Sequence, residues 1–515
     1  MQSIGFCEEL LSFFDTRSQL LTSLVIALAG RQQATSVVSL SLESTFYHQF
    51  SSVTDAIRYV HRQKMLEVEA DSSKPEAAKV LEQRFRLERL FRRHIVDYFP
   101  PKVKGRYYIL ATDVTPIARP HSPCLPNREY VYRPNKVIKT NKPITLGYRL
   151  SCVGLSARHH TGQAWMLPLS MQKIAADQTE NECTIQQLNE LLEDEQLPFK
   201  RTLTINCLDS KYANCIYING VTGHEQLVNI IRFAANRVAF RQIEVPPKGQ
   251  GKVGHPFWYG DRFSLKEPES WHECDEQTEV EQVTKKGRKL LIRLQRWNDM
   301  LVTGKRKFDM YDKPFDLVRV QVLDAETKQP IYNKDMWLTA WGKEKKQLSL
   351  SEIYEAYRTR FDIEHFFRFG KQRLLLDSYQ TTKECYTENW FQLVLISYWL
   401  LYVARQEAIP EIPKWQTYNT QKQQASQQEV PTKKKVSEQD QTKTKTDLTP
   451  SQTQRGFFAI IREFANQYLI PKARNNSSGR KKGTVIGRKK RYKVLKKSKN
   501  KQKKTAKKPE NKKTG

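Results

Sequence analysis

The sequence has few cysteines, and they form no metal-binding pattern. Eight cysteines are scattered over 515 residues, without a Cys-x-x-Cys pair and without a zinc-like spacing to histidine. Cysteines of this kind are typical of reduced thiols in a cytosolic protein, most of them core residues. A zinc finger or a disulfide framework is therefore not indicated.

Long apolar segments are also missing. The N-terminal residues have no basic stretch ahead of an apolar run, and Glu8, Glu9 and Asp15 interrupt them, so no signal peptide is expected. The longest apolar stretch, Trp390–Ala404, has about 15 residues, whereas a membrane-spanning helix needs roughly 20. This stretch predicts a buried helix, and we expect no membrane partner.

Nucleotide-binding motifs are absent as well. Gly249–Gly254 has three glycines at the spacing of a dinucleotide motif, but Pro256 follows and no strand-to-helix context surrounds the segment. We interpret it as a loop. The chain has no phosphate-loop lysine motif, so no nucleotide cofactor is expected.

Acidic residues are scarce relative to basic ones. The chain has 86 Lys and Arg against 55 Asp and Glu, which gives a formal net charge of +31. Residues 471–515 hold twenty of the cations and a single acid, Glu510, so about +12 remains for the rest of the chain. A cationic body with a polycationic tail favours a polyanionic partner.

Residues 1–102 predict an all-α N-terminal domain. Its last helix is basic, with arginines at positions 84, 86, 89, 92 and 93. Two interpretations are open: a helix-turn-helix-like DNA-binding unit, or a helical cap that packs on the rest of the protein.

Residues 103–235 change to strand-like patterns rich in β-branched and aromatic residues. They predict three strands, a helix, a strand, a helix and a strand, which is the order of a ribonuclease-H-like domain. The predicted strands are Tyr107–Asp113, Thr145–Leu155, Trp165–Lys173, Leu203–Leu208 and Gln226–Phe233, and the helices are Thr184–Leu192 and Asn214–Asn219.

The remaining residues complete an α/β fold. Residues 236–350 predict a β-rich insertion, with short strands at Phe257–Leu265, Lys289–Arg296 and Phe315–Leu323. Residues 351–408 would return to the core, a mixed sheet flanked by helices. Residues 409–454 indicate a disordered linker, and residues 455–515 a short helix, Arg455–Tyr468, followed by a disordered, Lys-rich basic tail.

The segment 357–371 carries the strongest functional pattern. At about 100° per residue, a helix would place Tyr357, Arg360, Glu364 and Lys371 on one stripe roughly 60° wide. A carboxylate with two cations and a phenol suits a metal ion and a phosphodiester, although a solvated face with intrahelical ion pairs would share this spacing.

The segment resembles the Tyr-Arg-Glu-Lys signature of DDE transposases from bacterial insertion sequences, at the family's spacing. The resemblance extends through Tyr107–Asn135, Asn141–Ser151 and Leu203–Tyr212, and covers most of residues 1–405. It implies a ribonuclease-H-like catalytic core, with the β-rich insertion between the second aspartate and the glutamate. The implied reaction is metal-dependent DNA cleavage and strand transfer.

Two further acids occupy positions that the resemblance makes functional. Asp113 ends a predicted apolar strand and Asp209 follows another; taken alone, they suit a strand-end turn and a helix N-cap. The resemblance implies that Asp113, Asp209 and Glu364 bind Mg²⁺, with Mn²⁺ as a substitute and two ions in the site. Asp362 is a rival to Glu364, but the helical wheel directs it away from the stripe.

The resemblance also implies partners and a location. Tyr357, Arg360 and Lys371 would contact phosphates at the transposon end, and the N-terminal helices would read the terminal inverted repeats of double-stranded DNA. A homodimer would hold two ends, in a cytoplasmic, nucleoid-associated bacterial protein. Two alternatives remain: an inactive or domesticated DNA-binding derivative, and a structure-selective nuclease. Trp258, Trp271 and Trp297 would stack on an unpaired base or lie in a core.

Overall fold

The computed structural model contains most of the predicted helices and strands, together with four strands that were not predicted: Glu129–Tyr132, Val238–Gln242, Glu276–Val283 and Met336–Trp341. The structure describes residues 2–14, 16–60, 87–132, 143–243, 259–284, 287–305, 307–409, 447–464, 483–485 and 487–495. The helices are α1 (Gln2–Phe13), α2 (Ser18–Ala29), α3 (Phe50–Tyr59), α4 (residues 87–94), α5 (Arg158–Thr161), α6 (Glu180–Leu192), α7 (Cys215–Val221), α8 (Leu350–Thr359), α9 (Phe361–Arg373), α10 (Glu384–Ala404) and α11 (Pro450–Phe464).

Except in Glu276–Val283, which has no buried residue, the strands contain buried residues, many of them in alternation, as their composition predicts. They are β1 (Tyr108–Ala118), β2 (Glu129–Tyr132), β3 (Ile144–Ser156), β4 (Met166–Lys173), β5 (Thr204–Leu208), β6 (Leu227–Phe233), β7 (Val238–Gln242), β8 (Tyr259–Ser264), β9 (Glu276–Val283), β10 (Lys289–Leu301), β11 (Phe315–Asp324) and β12 (Met336–Trp341).

The first half of the sheet is compatible with a ribonuclease-H-like DDE core. β3 lies between β1 and β4 and is antiparallel to both. β5 is parallel to β1, and β6 is parallel to β5. The predicted element types of residues 103–235 are all found, with boundaries within a few residues except for β1 and α6.

The strands of the predicted insertion continue this sheet. β12 pairs antiparallel with β6, and the order then runs β12-β11-β10-β7-β8, with β9 on β10. The described residues thus form one mixed twelve-stranded sheet. Trp297 is buried in this region and its Nε1 donates to the His272 carbonyl at 2.8 Å. Trp271 is half-buried, with Arg319 4.5 Å from its ring centroid. Both tryptophans therefore have packing roles.

The N-terminal helices pack on α10. Residues 20–29 of α2 are buried, and the Val25 carbonyl accepts a hydrogen bond from Ser397 of α10 at 3.2 Å. Asn389 of α10 donates to the Ile57 carbonyl of α3 at 2.6 Å. One hydrophobic core contains residues from these helices and from the sheet. Such packing is what the helical-cap interpretation predicts, and the DNA-reading role stays a prediction.

The apolar stretch Trp390–Ala404 lies within α10, whose residues 387–404 are all buried. The expected buried helix is therefore found. Among the helices of the described residues, none has both the length and the apolar character to cross a membrane.

Two predictions for the C-terminal third need correction. The short helix begins at Pro450 rather than Arg455, and residues 447–454 belong to ordered structure instead of a disordered linker. Thr449 and Gln452 form a capping box there, with Pro450 as the first helical residue. Residues 487–495, predicted as disordered tail, lie extended against residues 123–129.

Other predictions fall outside the described residues. They concern residues 61–86 of the N-terminal region, the glycine segment 249–254, Trp258, residues 410–446 of the linker, and residues 465–482 and 496–515.

Candidate active site

Asp113 and Asp209 lie at corresponding positions on neighbouring strands. β1 and β5 are parallel, and Ala111 pairs with Cys207; each acid comes two residues later. Because the carboxyl ends of parallel strands meet at one edge of a sheet, the two carboxylates are neighbours there. This is the usual place for a binding site in an α/β protein.

The prediction that β1 ends at Asp113 is wrong. β1 continues to Ala118 and pairs with β3, including a Pro116–Arg149 position. The Pro116 carbonyl accepts a hydrogen bond from Lys371 of α9, so α9 contacts β1 at this point. Asp113 is therefore held mid-strand, at the point where the pairing with β5 has stopped.

Arg360 connects Asp113 to Glu364. Its Nη1 donates to Asp113 Oδ2 at 3.1 Å and its Nη2 to Glu364 Oε1 at 3.2 Å. The Arg360 side chain is 10 % exposed, Asp113 19 % and Glu364 48 %. One guanidinium thus lies between two carboxylates that are distant in sequence.

The helix over 357–371 is interrupted at Arg360, which corrects the predicted single helix. α8 begins with a capping box formed by Ser349 and Glu352. It ends at Thr359, and Arg360 is both its C-cap and the residue that precedes α9. The i, i+4 relation between Arg360 and Glu364 survives the interruption because Arg360 keeps helical backbone angles.

Burial and charge determine the electrostatics of this cluster. Burial raises the pKa of Asp113; Arg360 and the Val114 N–H oppose the rise, and Asp209 adds to it. Burial alone would lower the pKa of Arg360, but the nearby Tyr357, Asp113, Glu364 and Asp209 raise it. Buried carboxylates of this kind are stabilised by a cation among them.

Asp209 has the local role that its sequence predicts. Its Oδ1 accepts a hydrogen bond from the Lys211 N–H at 2.9 Å and caps the short 3₁₀ turn Ser210–Tyr212. Tyr212 is buried, and its hydroxyl lies 3.2 Å from Thr184 Oγ1 of α6. The cap fixes Asp209 at the strand end, and its other carboxylate oxygen is available for a further contact because the cap uses only Oδ1.

Tyr357 and Lys371 lie at the cluster but point into protein. Tyr357 is buried, its hydroxyl has no hydrogen-bond partner among the described residues, and burial raises its pKa to about 12. Lys371 Nζ donates to Thr115 Oγ1 at 2.7 Å and to the Pro116 carbonyl at 2.9 Å; burial lowers its pKa. Lys371 therefore holds α9 on β1 beside Asp113.

Asp362, the rival acid, lies elsewhere. It is completely buried and forms an ion pair with Arg158, whose Nε is 2.7 Å from Asp362 Oδ2. Sequence reasoning missed Arg158 and Thr115 as the partners of Asp362 and Lys371, since neither residue belongs to a recognisable motif.

Comparison with known families identifies the chain. A family model described as DDE superfamily endonuclease matches residues 14–300, which is more than half of the chain. The chain belongs to this family. A second model, Transposase DDE domain, matches residues 279–400, which include α8 and α9. The comparison with curated proteins gave no match. These families indicate a nuclease-type enzyme with a DNA substrate.

The carboxylates of the cluster are the type of ligand that a divalent cation takes, although the described residues form no preformed metal site. DDE transposase families generally use divalent metal ions, and carboxylate oxygens are the ligands that magnesium prefers. Here Asp113 and Glu364 already share one cationic group, Arg360. Among the described residues, no three His, Cys, Asp or Glu side chains are close enough to hold an ion. A bound ion would therefore compete with the guanidinium for these oxygens.

This competition can be measured on the endonuclease without DNA. Arg360→Gln is expected to tighten Mn²⁺ binding about tenfold, because a charge-assisted contact contributes about 1.5 kcal/mol or more. Isothermal calorimetry or the electron spin resonance signal of free Mn²⁺ would give the affinity. Arg158→Gln serves as the control, since Arg158 pairs with Asp362 instead. Weaker binding by Arg360→Gln would instead mean that Arg360 positions the carboxylates.

Proposed function

We propose that this DDE superfamily endonuclease is a transposase. It would bind the terminal inverted repeats of an insertion sequence and catalyse metal-dependent strand cleavage and strand transfer. The observation that carries the proposal is the ion-pair cluster of Asp113, Arg360 and Glu364, beside the strand end that carries Asp209. Acids and a cation from three separate chain segments meet at one sheet edge, which suits a charged phosphodiester.

Each residue of the cluster has a distinct proposed role. Asp113, Asp209 and Glu364 would hold Mg²⁺, with Mn²⁺ as a substitute and two ions as the family resemblance implies. Bound magnesium supplies activation of the attacking water or 3′-hydroxyl and stabilisation of the leaving oxygen. Arg360, released from the acids, has the fork geometry to bind a phosphate with two N–H groups.

The second group of residues would support the DNA. Lys371 keeps α9 against β1 through Thr115 and Pro116, and a phosphate at this point would compete for the same ammonium group. Tyr357 would reach a phosphate only after a change in its buried surroundings. The exposed faces of the N-terminal helices would read the inverted repeats, and two copies of the chain would hold two transposon ends.

The experiment pairs cleavage with joining. Glu364→Ala is expected to lose Mg²⁺-dependent nicking of an end fragment, and joining of a pre-cut end to a supercoiled plasmid, while end binding persists. Glu225→Ala is the control, because Glu225 is exposed and precedes β6 at the opposite edge of the sheet. A loss of roughly 10³-fold corresponds to about 4 kcal/mol of transition-state stabilisation.

The outcomes separate the alternatives. Cleavage without joining would indicate a structure-selective nuclease. A wild-type protein that binds the end but never cuts it would indicate an inactive or domesticated derivative. Equal activity of Glu364→Ala and wild type would contradict the assignment of Glu364.

A further inference from the structure

A large cationic cleft lies between the N-terminal helices and the segment that follows α9. Its volume is about 1020 Å³. Arg58 of α3, Lys383 at the start of α10 and Lys489 line its walls. Among the described residues that line the cleft there is no Asp or Glu. The cleft therefore favours a negatively charged occupant.

Two of these cations share one aromatic ring. The Arg58 guanidinium carbon lies 5.8 Å from the centroid of Tyr386, and Lys383 Nζ lies 5.4 Å from it. Arg58 has a solvent-exposed ion pair with Asp55 at 3.5 Å, and Lys383 has no ion pair within the described part of the chain. Both cations therefore lie near Tyr386, which concentrates positive charge in this part of the cleft.

The remaining lining residues add phosphate-binding chemistry. Six of them are serine or threonine residues with a hydroxyl group: Ser36, Thr54, Ser122, Ser378, Thr381 and Thr382. Most protein–DNA hydrogen bonds to the backbone come from Arg, Lys, Ser, Thr, Asn, Gln, Tyr and main-chain N–H groups. The cleft offers cations and hydroxyl groups of this kind together.

The basic strap, residues 487–495, forms one border of the cleft. Tyr492 N–H donates to the Pro123 carbonyl at 3.0 Å and Leu495 N–H to the Arg128 carbonyl at 2.8 Å. Cys124 Sγ lies 3.9 Å from the Lys489 carbonyl. The strap is thus attached through its backbone, and its five Lys and Arg side chains, at 488–491 and 493, are exposed.

Two elements lead from the candidate active site to this cleft. β1 runs from Asp113 to Ala118 and is followed by the loop with Cys124; α9 runs from Glu364 to Arg373 and is followed by Ser378. The contacts of Lys371 with Thr115 and Pro116 show that α9 and β1 run side by side. From the carboxylates to the ends of these two elements, Ala118 and Arg373, the chain advances about 15 Å, or roughly four to five base pairs of B-DNA, and the cleft begins beyond those ends.

We propose that this cleft, with the basic strap as its border, binds backbone phosphates of the DNA duplex whose scissile phosphate lies at Asp113 and Glu364. This inference rests on the proposed function for the identity of the duplex. The strap cations would contact the backbone without sequence selectivity, whereas Arg58 and Lys383 fix the duplex relative to the acids.

The test measures duplex binding in EDTA, so that cleavage plays no part. Fluorescence anisotropy over a range of salt concentrations gives the slope of log affinity against log salt, which changes by about 0.9 for each phosphate contact. The double variant Arg58→Gln/Lys383→Gln is expected to lower the magnitude of the slope by about 2, and Lys489→Gln by about 1. Lys200→Gln/Arg201→Gln is the matched control, because these exposed cations precede β5 at the opposite edge of the sheet.

The results discriminate between the two proposals. Equal slopes for the cleft variant, the control and the wild type would overturn the cleft proposal, whatever the cleavage assay gives. A wild type without Mg²⁺-dependent cleavage would count against the transposase proposal. Even then, a salt-dependence slope lowered only in the cleft variant would support the cleft as a DNA-phosphate site.

A second readout needs no substitution. Cys124 is half-buried at the cleft, and Cys274, equally half-buried in the β-rich region, is an internal reference. Bound duplex is expected to slow alkylation of Cys124 several-fold relative to Cys274, as measured by mass spectrometry. Unchanged alkylation at both cysteines under saturating duplex would contradict occupation of the cleft.

Discussion

Asp113→Asn is expected to lower Mg²⁺-dependent DNA cleavage by roughly 10³-fold or more while duplex binding persists. The substitution keeps the shape of the side chain and its contact with the Val114 N–H, but removes the negative charge that Arg360 now neutralises. Without that charge the site loses a proposed ligand that is more buried than Glu364.

The fold should tolerate this substitution. Burial raises the pKa of Asp113, which means that the folded protein disfavours the ionised form, so a neutral amide is not expected to lower the unfolding temperature. Cleavage kinetics and thermal unfolding of the same preparation would test both statements. Asp362→Asn is the comparison, because Asp362 pairs with Arg158 away from the cluster and should retain most of the cleavage activity. Normal cleavage by Asp113→Asn would contradict its assignment.

The sequence suggested which acids would form the candidate site, but not how they are held. Residue spacing predicted that Arg360 and Glu364 share a helix face, and they do form an ion pair. Spacing could not predict that Arg360 also reaches Asp113, because that contact depends on how α9 lies against β1. Residue spacing also placed Tyr357 on the same face. In the structure Tyr357 packs in a hydrophobic cluster with β-strand residues such as Ile205 and Val228. Because Arg360 keeps helical backbone angles, this burial comes from the strand residues that pack on Tyr357, which residue spacing could not show.

The fold was predictable where local pattern and burial agree. β5 and β6 are short apolar runs, and both were expected. β9 was not expected, because Glu276–Val283 is mostly polar, lacks an apolar–polar alternation and is only partly buried. The pairing of β12 with β6 joins residues about a hundred positions apart in sequence, and no local pattern specifies it. The sequence therefore predicted an inserted region, but not its continuity with the sheet.

Glu88, which belongs to a buried charge network, can be used to test whether the N-terminal helices are a cap on the core or an independent domain. Glu88 and Arg92 of α4 form an ion pair at 3.4 Å and are almost completely buried. The carboxylate also accepts hydrogen bonds from Ser170 Oγ at 2.8 Å, the Met171 N–H at 3.1 Å and Gln392 Nε2 at 2.7 Å. These donors belong to β4 and α10, so a single side chain connects the N-terminal region, the sheet and the central helix.

Glu88→Ala is expected to lower the free energy of unfolding by about 3–5 kcal/mol, because it leaves the Arg92 charge and several buried donors without their acceptor. This is a large part of the roughly 5–15 kcal/mol that stabilises an ordinary domain. Urea denaturation followed by tryptophan fluorescence would measure it. The double variant Glu88→Ala/Arg92→Ala should cost less than the sum of the single variants, since it removes both buried charges. Glu225→Ala, which removes an exposed partner of Lys343, is the control.

The manner of unfolding then decides between the two interpretations of residues 1–102. If Glu88 connects a helical cap to the core, Glu88→Ala should shift one cooperative transition that includes the sheet, and a fragment of residues 1–102 should not fold alone. A destabilisation confined to the N-terminal helices, with the sheet transition unchanged, would contradict the helical cap and favour an independent DNA-binding domain. In the first case the inverted repeats would be read by a helical layer fixed on the catalytic core. The distance between the reading surface and the carboxylates would then be set by the fold itself, because no hinge between domains could change it.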